Sequence, residues 1–257
     1  MTPKEWDAIC DNITDRMRRH TRPFVTPLSY RTGPYRKLAG TGTYVARDGQ
    51  HLVLTCEHVT RLGNLEQRFF RSTTDHRVQE PFIAKPEPDV AWSIVPDDMW
   101  NGARDVSKAV PYERFALKHH VVDTAEPLFF RGFACENAHD DLVKFHTHGS
   151  GYSSQQKQEA EHSTRIFEMI WDPEKAKITS KTTRKARSVM KFRDPRGFSG
   201  SLVWNTRSLE VMQSGRKWRS PDAVITGIAH RYDSATKTLL VLRVEHLRAA
   251  FEEPSAP

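Results

Sequence analysis

"DPRGFSGSLVW", residues 194–204, sets Ser199 inside a Gly-x-Ser-Gly tetrad and then runs straight into an apolar, strand-like stretch. Taken alone, so short a motif fits a turn as well as a nucleophile. A serine hydroxyl attacks poorly at neutral pH; it needs a base within hydrogen-bond reach, and the base needs an acid to orient it. Two other stretches supply these groups. "LVLTCEHVT", residues 52–60, puts His58 immediately after an apolar strand, and "PEPDVAWSIV", residues 86–95, puts Asp89 at the start of another. The chain order is therefore His58, Asp89, Ser199.

Around these residues the sequence reads as many short strands. "TGTYVA" and "HLVLT" flank "RDGQ", where Asp48-Gly49 is a strong hairpin signal. Further strand candidates are "DVAWSIV", "EPLFFRGFA", "LVKFHTH", "RIFEMIW", "SLVWN", "AVITGIAH" and "TLLVLRV". Short strands at this spacing argue for a barrel or sandwich, not a parallel α/β sheet. Residues 2–19 predict an amphipathic helix docked on the body. Thr2 and Glu5 stand at capping-box spacing, Pro3 at the first helical position, and Trp6, Ile9, Ile13 and Met17 along one face. "VEHLRAAFEE" predicts a closing helix with Leu247 and Phe251 on one face, and the stretch from Trp100 to Asp123 reads as a seam between two β halves.

The chain has 257 residues, 37% hydrophobic and 28% charged, with no long apolar run, which argues against a disordered or membrane-spanning protein. The first twenty residues carry scattered charge and no apolar core, so no secretory signal is read there and a cytoplasmic location is expected. Three cysteines, odd in number and without a CxxC pair, suggest neither a disulfide framework nor a zinc site. A net charge of +7 favours anionic partners in general.

These motifs, in this order, resemble the chymotrypsin-like (trypsin-like) serine proteases. "GTGTYVARDGQHLVLTCEHV" is similar to that family's strand, hairpin and histidine-bearing ending, "DVAWSIV" to its aspartate strand, "RGFSGSLVW" to its serine motif and "VITGIAH" to the strand that walls the substrate cleft. "LFFRGFA" is similar to the segment that opens the second barrel. The resemblance implies an all-β fold of two six-stranded antiparallel β-barrels with an N-terminal and a C-terminal helix. It divides the chain into a helical extension over 1–24, a first barrel over 25–115, a second over 116–245, and a closing helix and tail over 246–257. It implies that Ser199 attacks the scissile carbonyl, that His58 shuttles the proton and that Asp89 orients the imidazole. The backbone N–H groups of Gly197 and Ser199 would form the oxyanion hole. No metal or organic cofactor is expected.

Phe198 departs from the family, standing where secreted trypsins carry an aspartate that pairs with a newly cut N-terminus, so that activation route is closed. Ser201 and Leu202 also depart, as does the Cys56-Glu57 pair before the histidine. For specificity, the position six before the serine is Arg193, followed by Asp194. The arginine would suit an acidic substrate side chain and the aspartate a basic one. His230 is similar in position to the pocket histidine of glutamyl endopeptidases, one residue later. The expected partners are a protein substrate and a regulatory protein, of the kind found in bacterial stress or anti-virus responses; no membrane is expected.

Residues 175–193 hold eight basic residues and no acid. With little aromatic interleaving, they read as a solvated loop or outward strand face, and not as a nucleic-acid site. His146 and His148 read as exposed strand histidines, since no third ligand stands at metal-binding spacing. Two other functions compete. An α/β-hydrolase using His246 or His230 needs a helix after the serine, where "SLVWN" is strand-like; a catalytically silent protease-fold binding module remains the alternative.

Overall fold

Charge and apolar periodicity at the N-terminus give helix α1 (Pro3–Thr21), after which the chain becomes predominantly β. A computed structural model describes residues 3–141, 144–158, 164–191 and 193–253. The first sheet is built from β1 (Val25–Thr32), β2 (Tyr35–Arg47), β3 (Gln50–Thr55), β4 (Glu66–Gln67), β5 (His76–Arg77), β6 (Ile83–Lys85), β7 (Val90–Ile94) and β8 (Val110–Pro111). Between β3 and β8 lie the short helices α2 (Glu57–Thr60) and α3 (Asp97–Ala103). The second sheet holds β9 (Leu128–Asp140), β10 (Phe145–Ser154), β11 (Ile166–Ile170), β12 (Leu202–Asn205), β13 (Val224–Asp233) and β14 (Thr238–Arg243), with α4 (Arg184–Val189) and α5 (Ser208–Gln213) between its strands. Helix α6 (Val244–Glu252) follows. Thr2, Leu142 and Val143, which figured in the predicted elements, lie outside the described residues.

Asp48 and Gly49 take positive φ values of 49° and 76°. They form the two-residue turn whose twist suits a hairpin, and Arg47 pairs with Gln50 across it. The first sheet runs β5-β4-β1-β2-β3-β7-β6, with β8 added parallel to β2; the second runs β10-β9-β12-β13-β14-β11. Both are otherwise antiparallel. The first sheet has eight strands where six are expected, and three of them, β4, β5 and β8, are pieces of only two residues.

The largest core is shared between the halves. Leu28, Tyr44, Val53 and Leu54 of the first sheet join Trp204, Ile225 and Ile228 of the second, with Ile13 and Met17 of α1 inserted among them. Helix α6 follows the second sheet but reaches the first: the Phe251 ring lies 4.7 Å from Trp92, and Arg47 Nη1 donates to Phe251 O at 2.8 Å. Among the described residues, no helix is long and apolar enough to cross a membrane.

Over residues 175–183 the basic run is a largely exposed loop and not a strand face, and it is tethered to α1. Asp7, Asp11 and Asp15, spaced one turn apart on α1, take up Lys177 (2.6 Å), the Ser180 N–H (3.0 Å) and Lys181 (3.5 Å), and the segment then forms α4. The histidine pair on β10 departs from simple alternation, because the register shifts between Thr147 and Gly149. His146 stacks on His139 and bonds Asp141.

Phe251 is 5% exposed, so Phe251→Ala removes a docked ring that the surroundings can refill only partly. The expected loss is about 3–5 kcal/mol of unfolding free energy at an unchanged denaturant slope. Urea titration of the purified chain checks it.

Candidate active site

β3 ends at Thr55, and the chain turns at once into the single helical turn of α2, which carries His58 to the rim between the sheets. Asp89 precedes β7 at φ 68°, a left-handed conformation that aspartate tolerates better than most residues. That geometry aims its carboxylate back at His58. Asp89 Oδ2 lies 2.9 Å and Oδ1 3.1 Å from His58 Nδ1, and Oδ1 also accepts the His58 backbone N–H at 3.0 Å. A carboxylate only accepts, so Nδ1 carries a proton, and in the neutral ring Nε2 is then the nitrogen with the free lone pair.

A third group meets this carboxylate. His230 Nδ1 stands 3.6 Å from Asp89 Oδ2, long for a hydrogen bond but close enough to favour the anion. Its presence there follows from a β-bulge: Ala229 pairs with Val241 and Arg231 with Leu240, leaving His230 as the extra residue that re-aims the strand. The His230 carbonyl accepts the Ser199 hydroxyl at 3.2 Å, so this residue touches both Asp89 and the serine. Burial of Asp89 by itself raises its pKa, but the stabilising contacts from His230 and His58 outweigh it and hold the carboxyl well below the usual range.

Ser199 sits in a turn held open by two glycines. At Gly197 (φ 98°) a Cβ would come within 2.6 Å of Phe133 O, and at Gly200 (φ 91°) within 2.0 Å of Thr41 O, so neither site admits a side chain. The Arg196 carbonyl accepts the Cys135 N–H at 2.7 Å. In a trans peptide the N–H of Gly197 therefore points the opposite way. Neither the Gly197 N–H nor the Ser199 N–H donates to any group among the described residues. Main-chain donors left uncommitted in this way are available to a negatively charged oxygen.

Ser199, His58 and His230 line one cavity of about 730 Å³, together with Arg193, Asp194, Pro195, Arg196, Phe198, Ala229, Arg231, Tyr232 and Leu239. Cys56, His58 and Asp89 place potential ligand atoms within 4.8 Å of one another. Their chemistry does not suit a metal. Burial pushes the Cys56 thiol well up, its Sγ turns to Ala229 O, and the His58 nitrogen nearest Asp89 is already committed to it.

No protein-family model matches the sequence, and no curated protein matches it. Solved structures do. The inactive form of Rv3671c from M. tuberculosis, a serine-to-alanine mutant, is 13% identical, with 95% of each chain covered and a TM-score of 0.54. The active form of the Rv3671c protease is 12% identical, covering 95% of this chain and 87% of that one at a TM-score of 0.51. The fold is chymotrypsin-like.

Within this chymotrypsin-like frame, the residues singled out from the sequence converge. His58 and Asp89 are in contact, Ser199 lines the same cavity as His58, and Arg193, Asp194 and His230 line it as well. The serine hydroxyl meets the His230 carbonyl, whereas a bond to His58 is absent among the described residues. Phe198, in place of the usual acid, is 2% exposed and packs edge-on against Phe130 (5.0 Å) and Trp171 (5.4 Å), so an aromatic cluster anchors the turn. Sequence reasoning missed the contact of His230 with Asp89, and missed Arg196 and Arg231 in the cavity wall. The run of cleft-strand residues around "GIAH" signalled only that a wall was there.

Because the folded pKa of Asp89 lies below its unfolded value, the ionised carboxylate stabilises the fold above about pH 4, and that contribution is lost as pH falls from there. The gap in melting temperature between the wild type and Asp89→Asn should therefore be widest near pH 7 and shrink steadily below pH 4. Thermal melts across that range check it.

Proposed function

We propose that this protein is a serine endopeptidase that hydrolyses peptide bonds of protein substrates through an acyl-enzyme. The observation that carries this reading is the His58–Asp89 pair beside the cavity that Ser199 lines, in a turn where the Gly197 and Ser199 N–H groups are uncommitted among the described residues. His58 Nε2 accepts the Ser199 proton as Oγ attacks the carbonyl carbon, and the negative charge gathers on the former carbonyl oxygen. The N–H groups of Gly197 and Ser199 receive that oxygen. His58 then protonates the leaving amine, and water repeats the sequence on the acyl-enzyme. Asp89 fixes the Nδ1–H tautomer throughout and favours the imidazolium formed in passing.

One observation favours the second reading, a catalytically silent binding module: the serine hydroxyl donates to His230 O and not to His58. In substrate-free enzymes of this kind, the serine–histidine bond is often long and tightens only with substrate in place.

Intact mass after incubation with a fluorophosphonate separates the two. The wild type should gain one phosphonyl group, and Ser199→Ala should gain none. His58→Ala should label at least a hundredfold more slowly. An unlabelled wild type supports the silent module. Removing one oxyanion donor typically costs about a hundred- to a thousandfold, so Gly197→Ala, which closes the turn around its N–H, should slow labelling by that order. Circular dichroism checks that the variant is folded.

A further inference from the structure

Resting on the protease reading above, we propose that the cavity selects substrates with an acidic side chain, glutamate foremost, on the acyl side of the scissile bond. The charges in its wall carry the argument. Three arginines, Arg193, Arg196 and Arg231, line it against one aspartate, Asp194.

That aspartate is already engaged. Asp194 Oδ1 accepts the Arg196 N–H at 3.0 Å, and Oδ2 accepts Arg196 Nε at 2.8 Å and pairs with Nη2 at 2.6 Å. The fork of Arg196 thus neutralises the one group in the wall that would attract lysine or arginine. The loop is fixed from behind through its main chain: the N–H groups of Arg193 and Asp194 both donate to Glu136 Oε1, at 2.8 and 3.0 Å. This leaves the Arg193 guanidinium without an anionic partner among the described residues, and Arg231 likewise has none. Arg231 follows the bulge at His230 on β13, and Arg193 lies on the loop that leads into the serine turn, so the two approach the cavity from different elements.

The rest of the wall includes Phe198, Ala229, Tyr232 and Leu239, which suit a short aliphatic stem. A glutamate offers that stem and ends in a carboxylate matching the planar guanidinium fork in charge and geometry. A basic side chain has to displace Arg196 from Asp194 and then sit beside two uncompensated arginines. Neutral glutamine fits the same space as glutamate but lacks the charge, which makes the pair a direct measure of the arginines' effect.

The test uses the full chain and fluorogenic peptides identical except for the residue on the acyl side: Glu, Asp, Gln, Lys or Phe. The expected result is a kcat/KM for Glu at least tenfold above Gln and further above Lys. In Arg193→Gln and Arg231→Gln the Glu-to-Gln ratio should fall several-fold, and in the double variant it should approach one. The ratio is the readout because a general loss of activity or folding lowers both rates together. A Lys preference, equal rates for Glu and Gln, or a ratio indifferent to both arginines overturns the proposal. If fluorophosphonate labels Ser199 while any of these holds, the specificity fails and the protease reading stands. If the wild type neither labels nor cleaves, both fall.

Discussion

Thr41 fastens the turn that carries Ser199 to the first sheet, and each of its polar groups is bonded. Its N–H donates to Ser199 O at 2.9 Å, and its hydroxyl donates to Gly197 O at 2.8 Å while accepting the Phe133 N–H at 2.9 Å. Its carbonyl accepts the Thr55 hydroxyl at 2.9 Å. Thr41 is fully buried, so each of these groups pays a desolvation penalty unless it is bonded. One residue of β2 thereby joins the end of β3, the middle of β9 and the serine turn. The sheets could tilt relative to one another only by breaking several of these bonds at once. The separation between the His58 side of the cavity and the Ser199 side is fixed by the same clasp.

With the two sides held, a single carboxylate organises the polar chemistry. Asp89 receives the His58 backbone N–H, faces the His58 ring, and meets the ring of His230 from the other flank. Its left-handed backbone is tolerable because Asp89 N–H also finds Pro86 O at 3.0 Å. Among the described residues His230 Nε2 is buried without a hydrogen-bond partner, a cost the fold accepts in a residue whose carbonyl meets Ser199 and whose Nδ1 faces Asp89. Local strain and an unsatisfied group cluster at the rim where the chemistry is proposed, as such features do in functional sites.

The approach to the serine is secured by contacts from several elements. The aspartate stripe of α1 holds residues 177–181, Glu136 holds the main chain at Arg193 and Asp194, and the Phe198 cluster holds the turn itself. Apolar packing holds Phe198, so the order of the turn at that point depends on burial.

The sequence by itself determined what short windows encode. Alternating apolar residues specified the strands, Asp48-Gly49 the hairpin, the 3.6-residue period both terminal helices, and three local motifs the residues His58, Asp89 and Ser199. Each rests on neighbours a few positions apart, where propensity and periodicity act directly. The tertiary structure alone decided the rest. The bulge that turns His230 toward Asp89 depends on the register between β13 and β14, which no local pattern announces. The docking of a basic run on α1 joins residues about 170 positions apart; a local reading gives the run's exposure and cannot give its partners. Whether Arg193 or Asp194 governs the cavity turned on Arg196 folding back onto the aspartate. Register, bulges and long-range ion pairs are set by how whole sheets come together, and only the folded chain contains that information.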